Sequence, residues 1–187
     1  LYGILIGVLA SIDYGGPINK TVFAFVLTLQ AQGIHEPITA LIVVNTATPL
    51  GFALAHWVSK LFKKQIYQQV EVETLKTAFP MGLIEIVEGV LPIVLNDIVR
   101  CVIATGVGGA VGGAISMVLG GNAQVPFGGF LVLPTMSQPL VFVLAVLANM
   151  VVTAFMLAIL KKQVDKSEEL ADEMEEEDID LSDLKIS

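Results

Sequence analysis

From Cys101 to Leu160 the chain carries no Asp, Glu, Lys or Arg, a run of sixty consecutive residues. A soluble domain has about one charged residue in four, so such a run lies in, or against, a bilayer. The remaining charges are unevenly distributed. Residues 161–187 hold eleven acids and four bases, against seven and six in residues 1–160, so −7 of the net charge of −8 belongs to the tail. This pattern excludes an ordinary soluble globule, a disordered chain and a nucleic-acid binder, which needs a basic face. The fold class left is all-α integral membrane, a polytopic helical bundle. Residues 1–162 read as the membrane domain and 163–187 as an acidic, disordered cytoplasmic tail.

Pro139–Leu160, Val102–Leu119 and Pro37–Phe62 are long enough to cross a hydrocarbon core that needs about 20 residues. Gly16–His35 is a weaker span, because Lys20, Gln30 and Gln32 lie within its ends. Leu1–Ile12 reads as the back half of a helix that begins upstream. Lys60, Lys63, Lys64 and Lys76 follow one span, and Lys161, Lys162 and Lys166 follow the last. By the positive-inside rule both clusters are cytoplasmic. The chain between them then crosses twice, which leaves the apolar stretch around 80–96 as a re-entrant hairpin. Working backward, Gly16–His35 runs outward and the Gly15–Gly16–Pro17 turn, with Asn19 and Lys20, sits at the cytoplasmic face.

Within the hairpin, Glu85 and Glu88 lie three apart. An ionisable group at membrane depth marks a substrate or ion path by default. Glu88, deeper and before Pro92, is the candidate for gripping sugar hydroxyls or taking a proton from one. Glu85 is expected at the cytoplasmic interface, paired with Lys76 or Arg100. Asp97 and Arg100 form either a local ion pair or a phosphate-recognition fork. Asn96 either caps the next helix or meets a sugar hydroxyl. Asn19 and Lys20 line the inner mouth, or Lys20 anchors its helix at the headgroups. Gly108/Gly112 and Gly109/Gly113 have the small-xxx-small spacing of close helix packing. Gln124–Gly129 suits a second membrane-buried turn. Cys101 is the single cysteine, so no intrachain disulfide is possible. His35 and His56 have no metal-ligand spacing, and no GxxxxGK[ST] loop is present.

Three blocks then occur in one order. DYGGPINKTVFAF (13–25) resembles the MGGPxNKxAYAF block of the fructose-type enzyme IIC permeases of the bacterial phosphotransferase system. TPLGFALA (48–55) resembles their PPLGxALA. MGLIEIVEGVLPIVLNDIVRCVIATGVGGAVGGAISM (81–117) resembles MGLIGITEGAIPFAxxDPxRVIPxxxxGxAxxGAxSM. VPFGGFLVLP (125–134) falls where the family carries APHGGIFVFP.

The resemblance implies the C-terminal half of a sugar permease that binds a fructose-like sugar and presents it to a phosphorylated IIB partner. It places Glu88 as the catalytic and sugar-binding carboxylate, with Asn19, Lys20, Asp97 and Arg100 as further substrate contacts; Asn96, outside the motif, is the remaining substrate-contact candidate. It implies a homodimer in the bacterial cell membrane, with no metal, no cofactor and no phosphoryl group carried on this chain. Three departures stand out: Phe127 replaces the family's His, Glu85 stands where Gly is usual, and Val87 where Thr is. The loss of the His and the gain of the Glu imply altered sugar choice or lost activity. An H⁺- or Na⁺-coupled transporter with Glu85 and Glu88 as the coupling site, or a non-transporting membrane partner, are the alternatives.

Overall fold

The computed structural model describes residues 1–164, so the expectation for the acidic tail lies almost wholly outside the described residues. Helices α3 (Glu36–Leu61), α6 (Ile98–Val118) and α7 (Pro139–Leu160) are long and apolar enough to cross a membrane. They are the three long spans expected. On α3, Gly51 lies against Thr153 and Met150 of α7, and on α6, Gly108 and Gly112 lie against Asn149 of α7. A Cβ at Gly112 would come within 2.6 Å of the Asn149 Cβ. Helix α1 (Tyr2–Ser11) uses the other face of α6. A Cβ at Gly3 or Gly7 would collide with the carbonyls of Gly113 and Gly109. The glycines thus let three backbones approach, the packing their spacing implies. The outer side of α7 exposes Leu140, Leu144, Leu147, Val151 and Phe155, an apolar face suited to lipid.

Both lysine clusters lie at one end of this bundle. The Lys64 ammonium donates to the Ala158 and Ile159 carbonyls at 3.1 and 3.2 Å, and the Val164 N–H donates to the Gln65 carbonyl at 2.9 Å. From this basic end α4 (Gln69–Leu83) climbs until Gly82 meets Pro49 and Thr46, halfway along α3. The chain reverses at Glu85, and a 3₁₀ turn (Glu88–Val90) and α5 (Leu91–Leu95) bring it back down. Asn96 Nδ2 then donates to Glu71 Oε1 at 3.1 Å, closing the hairpin at its base. The segment around 80–96 therefore enters and leaves on the same side, as its composition required.

The base is locked by a buried ion pair. Lys161 Nζ lies 3.1 and 3.2 Å from the two Glu71 oxygens and 4.5 Å from the Tyr67 ring centroid. Both side chains are 5% exposed. Because each charge would be uncompensated without the other, removal of one partner is expected to be strongly destabilising.

The first two helices depart from the expectation. Helix α1 has 10 residues and α2 (Pro17–Gln30) has 14, about 15 and 21 Å at ~1.5 Å per residue. Gly3 lies by Gly113 and Gly7 by Gly109, while the Tyr14 hydroxyl meets Thr105 Oγ1 at 2.9 Å. Asn19 hydrogen-bonds Asn45 at 2.8 Å. The Gly15–Gly16–Pro17 turn is thus level with the middle of α3, not at the cytoplasmic face, and Lys20 is no headgroup anchor. The charge rule misplaced this turn because it treats every lysine as a surface residue. Here Asp13 stabilises the start of α2 instead, accepting the Ile18 and Asn19 N–H groups at 2.5 and 3.0 Å. A carboxylate at a helix N-terminus also meets the positive end of its dipole.

A second broken segment descends from the opposite end. There the Ala123 N–H donates to Thr39 Oγ1 at 2.8 Å, and Gln30 and His35 both reach the Ala123 carbonyl at 3.2 Å. The chain dips to Gly128–Gly129, turns through a 3₁₀ helix (Gly129–Thr135) and returns to start α7. This is the second buried turn expected at Gln124–Gly129.

Candidate cavity at the meeting of three broken segments

Three chain reversals converge at mid-bundle: the 12–16 turn, the tip of the 80–96 hairpin and the Gly128–Gly129 turn. Between them lies a cavity of about 530 Å³, lined by Gly15, Asn19, Lys20, Phe23, Asn45, Glu85, Ile86, Val87, Glu88 and Phe127. Its size falls within the roughly 300–1,000 Å³ typical of small-molecule sites. Asn45 reaches it from α3 one turn before Pro49. Since proline has no N–H, the Asn45 carbonyl loses its helical partner there.

Glu85 is the junction of the three segments, and its position is a correction to the sequence reading. It is 2% exposed and pairs with neither Lys76 nor Arg100. Those cations are engaged by Glu73 and Asp97. Glu85 Oε2 accepts the Gly128 N–H at 2.8 Å and the Gly129 N–H at 3.3 Å. Its Oε1 lies 3.4 Å from the Asn45 amide nitrogen. Asn45 Oδ1 in turn accepts from Asn19 Nδ2, which also donates to the Ala10 carbonyl at 2.7 Å. Glu85 adopts φ +72°, a left-handed conformation that suits glycine. The carboxylate is thus held here at the cost of local backbone strain. The partners lie 40 to 44 residues away, so no local spacing pointed to them.

Glu88 and Lys20 differ from Glu85. Their side chains make no hydrogen bond or ion pair among the described residues, and both are exposed to the cavity side. The Glu88 carboxylate packs over Gly15, where a Cβ would lie 2.5 Å from Glu88 Oε1. Gly15 has φ +87°, so the turn both needs a glycine conformation and leaves room for the acid. The structure thus brings Glu88, Asn19 and Lys20 together in one cavity. It does not bring Asn96, Asp97 and Arg100 there. Asn96 bonds Glu71, and the Arg100 guanidinium holds Asp97 at 3.0 and 3.1 Å at the start of α6. Phe127, standing for the family's histidine, lines the same cavity immediately before the two N–H groups that Glu85 holds. Among the described residues no three of His, Cys, Asp and Glu gather as metal ligands.

An apolar-faced helical bundle with broken segments dipping in from both ends to a central cavity that Asn19, Lys20, Glu85 and Glu88 line has the make-up of an integral membrane protein. Comparison with known proteins gives its likeness. The chain is 35% identical to the "PTS system fructose-specific EIIB'BC component" of Haemophilus influenzae over 161 residues, 86% of this chain and 28% of that one. It is 33% identical to the "PTS system fructose-specific EIIC component" of Haloferax volcanii, over 88% of this chain and 43% of that one. It is 32% identical to "Fructose-like permease IIC component 2" of Escherichia coli, over 97% and 49%. Over most of its length the chain is similar to fructose-type permease IIC components. It spans about half or less of the length of these relatives. No protein-family model matches the chain, and no solved structure matches it significantly.

Proposed function

We propose that this chain is the C-terminal half of a phosphotransferase-system permease, and that the central cavity binds a fructose-like sugar for phosphorylation-coupled uptake. The observation that carries this is the pairing of an unpartnered carboxylate, Glu88, with an unpartnered ammonium, Lys20, in a mid-bundle cavity. Charged groups left free at that depth are costly and mark a substrate path. A carboxylate accepts hydroxyl protons and an ammonium donates to hydroxyl oxygens, which together grip a polyol. Asn19 supplies an amide held in place by Ala10 and Asn45. The fused names of relatives such as the EIIB'BC component of Haemophilus influenzae support a IIB partner as phosphoryl donor. In the transfer, a sugar hydroxyl oxygen attacks the phosphorus, the IIB side chain leaves unphosphorylated, and Glu88 takes the hydroxyl proton.

Glu85, Val87 and Phe127, the three departures from the family pattern, line this one cavity. That supports a sugar choice shifted from fructose itself. In this proposal residues 1–162 form the membrane domain and 163–187 a cytoplasmic tail. The protein acts as a homodimer in the cell membrane, with Lys60–Lys64 and Lys161 on the cytoplasmic side.

The test is sugar phosphorylation by membranes carrying the full-length protein, supplied with phosphoenolpyruvate and the soluble phosphotransferase proteins. Glu88→Gln is expected to cut the rate 10²-fold or more, the low end for loss of a general base, with membrane insertion unchanged. Near-normal phosphorylation in that variant would remove Glu88 from the site. Uptake that proceeds without any phosphate donor would replace this function by ion-coupled transport.

A further inference from the structure

Apart from the central cavity, the basic end carries a second hollow of about 450 Å³, lined by His56, Ser59, Lys60, Lys63, Lys64 and Tyr67 among others. Among the described residues no carboxylate lines it. The Lys64 ammonium is held by the last carbonyls of α7, but the Lys60 and Lys63 side chains have no partner among the described residues. Uncompensated cations in a concave surface concentrate anions.

This hollow does not end in protein. His56 and Val72 line both it and an adjoining apolar groove of about 710 Å³, whose walls include Leu54, Trp57, Phe79 and Leu147. The groove follows α3 from His56 back to Leu50, about 9 Å toward the middle of the bundle at ~1.5 Å per residue. Trp57, Leu61 and Phe62 beside its mouth are largely exposed, the side chains expected where a helix leaves the hydrocarbon for the headgroup layer. A basic hollow that shares His56 and Val72 with an apolar groove has the two-part chemistry of one molecule, a charged head on an apolar chain.

We propose that the hollow and the groove together bind an anionic phospholipid, its phosphate on Lys60 and Lys63 and an acyl chain along α3, α4 and α7. Inorganic phosphate offers the same anion without the chain, and phosphatidylcholine offers the chain without the net charge. The full chain, purified in a neutral detergent, is titrated with dioleoyl phosphatidylglycerol, dioleoyl phosphatidylcholine or inorganic phosphate while its thermal unfolding is followed. Phosphatidylglycerol alone is expected to raise the Tm saturably. Lys60→Ala with Lys63→Ala is expected to raise the half-saturating lipid concentration about thirty-fold, the loss expected for two headgroup lysines. Leu54→Trp, which fills the groove and leaves every lysine, is expected to weaken the same titration. Lipid retained through purification and read by native mass spectrometry gives a second measure. Equal stabilisation by phosphatidylcholine or by phosphate overturns the proposal, as does a double variant that titrates like the parent.

Discussion

Replacing Glu85 tests whether one carboxylate joins the broken segments. Its Oε2 takes two backbone N–H groups and its Oε1 faces the Asn45 amide, all in a site 2% exposed. Deleting the acceptor strands two buried donors, each costing about 1–3 kcal/mol. Against this stands the left-handed backbone at φ +72°, which costs a non-glycine residue about 1–2 kcal/mol. Glu85→Ala loses the bonds and keeps the strain, a net loss of about 3 kcal/mol. Glu85→Gly loses the bonds but relieves the strain, a net loss of about 2 kcal/mol. Glu85→Gln keeps one acceptor and loses the charge-assisted part, about 1 kcal/mol. At roughly 2–4 °C per kcal/mol for a chain of this size, the expected falls in Tm are about 6–12, 4–8 and 2–4 °C for Ala, Gly and Gln. Differential scanning fluorimetry of the purified full-length protein reads all three. The order is the sharp part, because a simple loss of side-chain volume would make glycine worse than alanine. Alanine equal to or better than glycine refutes the strain argument, and three unchanged melting curves refute the junction itself.

Lys161→Met should cost about 3–5 kcal/mol by leaving Glu71 buried and unpaired, and adding Glu71→Gln should restore much of it; denaturant or thermal melts of the single and double variants check this. If the α1–α2 turn is at mid-bundle, Lys20→Cys should react far more slowly with a membrane-impermeant maleimide than Lys63→Cys, while buried Cys101 contributes little background. Gly109→Val should detach α1 from α6, because its new Cβ would meet the Gly7 carbonyl. Increased proteolysis within residues 1–16 is the readout.

The long helices were legible because apolar length is a local property, and α3, α6 and α7 carry it in uninterrupted runs. The hairpin was legible too: Glu85, Glu88, Gly89 and Pro92 make a poor lipid-facing helix, and the lysine clusters on either side forced an even number of crossings. The depth of the first turn was not. Lys20 has the sequence appearance of a headgroup lysine, and only the contacts of Tyr14 with Thr105 and of Asn19 with Asn45 place it at the centre. Glu85 was misread for a related reason. Its partners are backbone N–H groups, which no side-chain inventory can reveal, on a segment that arrives from the other end. Glu88 was singled out as an acid before a proline in an apolar hairpin, and Asn19 and Lys20 came from the motif rather than from any spacing; the structure places all three on one cavity.

Because the two dipping segments come from opposite ends of the bundle, the bonds from Glu85 to the Gly128 and Gly129 N–H groups tie together pieces of chain that enter from different sides. Loss of that one carboxylate would uncouple the hairpin tip from the Gly128–Gly129 turn while the Glu71–Lys161 pair still holds the base of the hairpin, so the two ends of the bundle would lose their shared tie without losing either segment.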